Sequence, residues 1–87
     1  MGHWNHRILE FRTEKDGKII EIAREIHEVF YDDDGKPDGY GEGGATIFWT
    51  TDDKAITPWI TISDMMNALQ KPILLADGLT EVETSDD

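Results

Sequence analysis

The residues of this sequence best suited to chemistry are His6, His27 and Glu25. Imidazole titrates near neutrality, and imidazole and carboxylate together can ligate a metal or relay a proton. Their spacing gains meaning from Asp16-Gly17, which lies between two apolar-rich runs and signals a tight type I′ hairpin. A two-residue loop there sets Lys15 opposite Lys18. Continued without interruption, that register places His6 opposite His27, Trp4 opposite Val29 and Arg12 opposite Glu21. Glu25 falls on the His27 face of its strand, two residues away. One cation or one shuttled proton could then be shared by His6, His27 and Glu25. The plainer alternative is a cross-strand histidine pair beside Trp4. His27-Glu28 lacks the second histidine that a zincin helix requires.

Other motifs carry less. Asp32-Asp33-Asp34-Gly35 invites a calcium reading, but an EF-hand loop needs oxygens at positions 1, 3 and 5, glycine at 6 and glutamate at 12. Aligning Gly35 to the glycine position puts Phe30 first and Gly41 last, and aligning Gly39 ends the loop on Ala45. The run reads as a solvated turn. Gly39, Gly41, Gly43 and Gly44 lead into an apolar, β-branched stretch rather than a helix, so they do not form a phosphate loop. Ser63-Asp64 reads as a helix cap. Trp49 and Trp59 sit in apolar company without the basic neighbours of a base-stacking platform. No catalytic residue, cofactor or metal site is expected, and the chain is read as not an enzyme.

Charge narrows the partners. Nineteen Asp and Glu against eight Lys and Arg leave a net charge of −11, which repels nucleic acid and anionic membranes and favours a protein with a basic surface. Eighty-seven residues make one domain with a modest core, and the absence of cysteine removes disulfides and thiolate sites. No signal peptide or membrane-spanning run is evident, so the expected location is the cytoplasm.

The elements follow from pattern. Residues 4–14 read as a strand. Residues 19–31 fit a helical stripe through Ile19, Ile22, Ala23, Ile26, Val29 and Phe30. They also fit a strand with Ile20, Ile22, Ile26 and Phe30 on one face. The Asp-Gly turn and the isoleucines decide for strand. Residues 32–44 form an acidic, glycine-rich connection. Ala45 to Thr51 reads as a third strand, broken off at Thr57-Pro58. A helix starting near Ser63 and ending by Lys71 turns Met65, Met66 and Leu69 to the sheet, and Pro72 stops it. Ile73-Leu74-Leu75 reads as a short fourth strand or a packed tail. The expected fold is α+β over residues 1–76: a small antiparallel sheet of three or four strands, opening with a hairpin, on one C-terminal helix. Residues 77–87 read as a disordered acidic tail.

Several strings are familiar in combination: Trp4-Asn5-His6-Arg7, Ile26-His27-Glu28-Val29-Phe30-Tyr31-Asp32, Gly35-Lys36-Pro37, Gly39-Tyr40, and Ala68-Leu69-Gln70-Lys71-Pro72-Ile73-Leu74. Over residues 4–75 the chain resembles a group of small bacterial proteins of unknown function. The resemblance implies an antiparallel sheet with one helix and implies no activity.

The leading expectation is a non-catalytic protein-binding module, with Trp4, His6, Glu25, His27, Asp32, Asp33, Asp34 and Asp38 as its candidate surface. The alternatives are an acidic nucleic-acid mimic of the kind that inhibits restriction or CRISPR systems, and a small metal protein or enzyme using the His6/His27 face.

Overall fold

The computed structural model describes residues 3–47 and 56–82. Strand β1 (His3–Lys15) turns at Asp16 and Gly17, both at positive φ (53° and 79°), into β2 (Lys18–Tyr31). Those angles are what a type I′ turn needs, and they commit residues 19–31 to a strand despite their helical periodicity. The second turn is built by Asp32. Its carboxylate accepts the backbone N–H groups of Asp34 and Lys36 at 2.9 and 3.0 Å, and Gly35 supplies the positive φ of 80°. The chain then returns as β3 (Pro37–Tyr40) along β2.

Helix α1 (Ile56–Ala68) follows, and then β4 (Leu74–Leu75). The sheet order is β3-β2-β1-β4. β4 lies parallel to β1, pairing Leu74 with Leu9 and Leu75 with Glu10. The sheet is therefore mixed rather than wholly antiparallel. A crossover through a helix returns the chain in the same direction, which a hairpin cannot do.

Four expectations are corrected. The third strand in chain order is Pro37–Tyr40, and Ala45, Thr46 and Ile47, the described part of the expected Ala45 to Thr51 strand, are in no strand. Ala45 instead donates its N–H to the Ile26 carbonyl (2.8 Å), and residues 48–51, with Trp49, lie outside the described residues. The helix begins at Ile56, so Ser63 is mid-helix and caps nothing. Pro58 falls in the first turn, where a proline's missing N–H has no intrahelical partner to lose. Met66 and Leu69 do not face the sheet: both are exposed, while Ala68 is fully buried and Met65 half-buried. Finally, residues 77–82 fold back as part of the domain. Gly78 and Leu79 turn at positive φ, Leu79 packs on the core, and Val82 N–H bonds the Ile73 carbonyl at 2.8 Å.

The core lies on one sheet face. Leu9, Val29, Tyr31 and Leu74 are buried together, flanked by Phe11, Tyr40, Ala76 and Leu79. The helix takes the opposite face, lying against β1. Beyond the reach of β3 and β4 the hairpin continues as an arm, exposed at every residue from Arg12 to Glu25.

Candidate functional site

The β1–β2 ladder decides what the histidines can do. At the turn the pairing is as expected, with Lys15 opposite Lys18 and Glu14 opposite Ile19. The next pair is Thr13 with Glu21, so Ile20 is an extra, unpaired residue: a β-bulge. Beyond it the register is displaced by one. His27 lies opposite Arg7, His6 opposite Glu28, Trp4 opposite Phe30 and Arg12 opposite Ile22. Side chains alternate faces along a strand, so a one-residue displacement sends His6 and His27 to opposite sides of the sheet. The shared cation or proton site that the uninterrupted register would have allowed is not formed.

Each histidine is instead used by its own face. His27 is 1% exposed on the core face. Its Nε2 is 2.6 Å from the Glu25 carboxylate and its Nδ1 is 2.9 Å from the Gly41 carbonyl. Phe11 and Tyr40 pack around the ring. The expected proximity of Glu25 and His27 is present. The His27–Gly41 bond ties the residue 41–45 connection to β2, together with the Ala45–Ile26 and Gly41–Glu28 backbone bonds. His6, also buried, hydrogen-bonds through Nδ1 to the Asp64 carboxylate of α1 and meets the Trp4 ring edge-on. That pair fastens the helix to the sheet. Asp64, read as a helix cap, is a sheet-facing anchor.

Pattern reading missed two further constellations. Glu10 is 2% exposed on the helix-bearing face and accepts from Arg12 Nε at 2.7 Å and Arg24 Nε at 3.0 Å. Burial alone would raise the Glu10 pKa, but the hydrogen bonds and charges of Arg12 and Arg24 outweigh it and hold the group below its ordinary value. Glu10 and Arg12 share a strand face by their spacing, but Arg24 joins them only through the displaced register. On the core face, Arg7 donates to the Tyr31 hydroxyl (2.9 Å) and to the Pro72 carbonyl (2.7 Å), and His3 stacks on Tyr31. Asn5 Oδ1 and Arg7 Nε are buried there without a hydrogen-bond partner. Arg7 stands in the Trp-Asn-x-Arg string, the one signal that could have flagged it.

The remaining candidate residues divide by position. Trp4 is exposed on the helix-bearing face. Asp33, Asp34 and Asp38 are exposed around the β2–β3 turn, while Asp32 spends its carboxylate on the turn itself. Among the described residues no three His, Asp or Glu side chains are grouped to hold a metal ion, and no helix is long and apolar enough to cross a membrane. A shallow groove along β1, lined by Glu10, Phe11, Arg12, Glu14, Tyr40 and Leu75, brings an ion-paired carboxylate beside two aromatic rings and presents no nucleophile. No protein family matches the chain, and neither a curated protein nor a solved structure is significantly similar to it.

Proposed function

We propose that the chain is a non-catalytic protein-binding module. The observation that carries this is the outward apolar surface of α1 and the turn that ends it: Trp59 is 70% exposed, Met66 60% and Leu69, in that turn, 65%. Apolar side chains clustered on one exposed surface mark an interaction site more often than accident. The two histidines support the same reading, because each ring is buried and fastens a covering segment, His6 through Asp64 of α1 and His27 through the Gly41 carbonyl. Asp33, Asp34, Asp38 and Glu42 cluster near the β2–β3 turn and would add electrostatic steering toward a basic protein.

Mimicry of nucleic acid has less support. It calls for carboxylates in uninterrupted rows on folded elements, and on the hairpin arm Glu14, Glu21 and Glu25 alternate with Lys15, Lys18 and Arg24.

The test is capture from a lysate by the immobilised chain and by a Trp59→Ala/Met66→Glu variant, with bound proteins identified by mass spectrometry. The reading expects partners lost with the variant. Identical captured sets would remove its basis.

A further inference from the structure

We propose that the partner of this apolar surface is a second copy of the chain, α1 of each copy lying beside α1 of the other over the partner's β2. The inference rests on the binding-module reading and names its occupant.

It begins with coverage. A helix is about 10 Å across and strands are about 4.8 Å apart, so one helix covers roughly two strands. Among the described residues the sheet has four strands and one helix, and that helix lies against β1. On the same face of β2, Ile22 and Phe30 are exposed and Ile26 is half-buried. Trp4, directly across from Phe30, is exposed as well. These residues floor a lane about as wide as a helix.

Helix α1 has the complementary feature. Trp59, Ile62, Met66 and Leu69 recur at spacings of three, four and three, the seam by which one helix packs on another. All four are exposed. A two-fold axis running between the copies would lay each helix, seam down, in the other's lane, so one operation covers both surfaces.

Charge selects a second copy over a basic protein. Asp64 is the only charged residue of α1, and it is held by His6. On this face Glu10 pairs with both Arg12 and Arg24, and Glu28 offsets the positive charge left over. This surface is thus close to neutral in a chain of net charge −11, and a basic partner would find nothing here to pair with. The exposed Asp33, Asp34 and Asp38 lie at the β2–β3 turn and along β3, off the helix. The area also suffices. The exposed parts of these side chains amount to on the order of 800 Å² per chain, near the share each partner contributes to a stable interface.

Sedimentation velocity on the full chain, from micromolar to millimolar concentration at physiological salt, decides the matter. The expected result is a monomer–dimer equilibrium. Met66→Lys on the seam and Ile22→Lys in the lane should each weaken it by ~10-fold or more, with unchanged circular dichroism. Both sites are exposed, so the monomer fold tolerates either change. A wild-type monomer throughout the range, or a dimer indifferent to both variants, would overturn the inference. A monomer whose lysate partners are still lost in the Trp59→Ala/Met66→Glu variant overturns only the second copy as occupant and leaves the binding module standing.

Discussion

The imidazole of His27 faces an acceptor at each nitrogen, the Glu25 carboxylate at Nε2 and the Gly41 carbonyl at Nδ1. The contact therefore couples one buried ring to the strand below and the connection above, and several measurable consequences come from it and from its counterparts on the other face.

Breaking the Glu25–His27 contact should loosen residues 41–45. Glu25→Ala is expected to cost about 1–3 kcal/mol, and Glu25→Gln less, because the amide oxygen still accepts from Nε2. Gly44→Ala attacks the same contact from above. A Cβ there would stand 2.6 Å from the Glu25 carboxyl carbon, forcing the carboxylate off the ring. Hydrogen exchange should show the Ala45 amide deprotected in Glu25→Ala and Gly44→Ala alike. Full protection in both would show that the backbone bonds alone hold the segment.

Leu9 and Leu69 should respond oppositely to truncation. Leu9 is fully buried in the core, so Leu9→Ala should cost about 2–5 kcal/mol. Leu69→Ala should change the stability of the monomer by less than about 0.5 kcal/mol, as at other exposed positions. Urea unfolding at low protein concentration measures both.

Glu10 should contribute to acid sensitivity. Its pKa in the folded chain lies below the 4.5 of a free glutamate. The stability it adds is complete above that ordinary value and is lost as pH falls through the lowered one, where the carboxyl protonates and releases Arg12 and Arg24. Glu10→Gln should be less stable than wild type at neutral pH, and the difference should shrink on acidification below 4.5. A difference that does not change with pH would mean that the two arginines contribute nothing through the charge.

Deleting Ile20 should be tolerated. It is the unpaired residue of the bulge and is exposed, so its removal regularises the arm and leaves His27 opposite Arg7. The expected change is within about 1 kcal/mol, with amide chemical shifts of the Leu9–Val29 core region preserved. Widespread shift changes across β1 and β2 would show that the bulge sets the register of the whole ladder.

Ile73-Leu74-Leu75 stayed open between a strand and a packed tail, while local chemistry was sufficient to read the hairpin, the Asp16-Gly17 turn and a helix ended before Pro72. Each depends on φ preference, turn residues or a missing N–H, and these act over a few positions. The tertiary structure alone decided the register beyond Ile20, because nothing near that residue distinguishes an unpaired isoleucine from a paired one. That single displacement separated His6 from His27 and joined Arg24 to Glu10. It also decided which side of α1 meets the sheet. Periodicity favoured the large apolar stripe, yet Ala68 and Asp64 face β1, where a small side chain lets the helix approach and the buried His6 finds its carboxylate. Leaving a buried imidazole without a partner is costly, and here the His6–Asp64 contact outranked the burial of Met66 and Leu69.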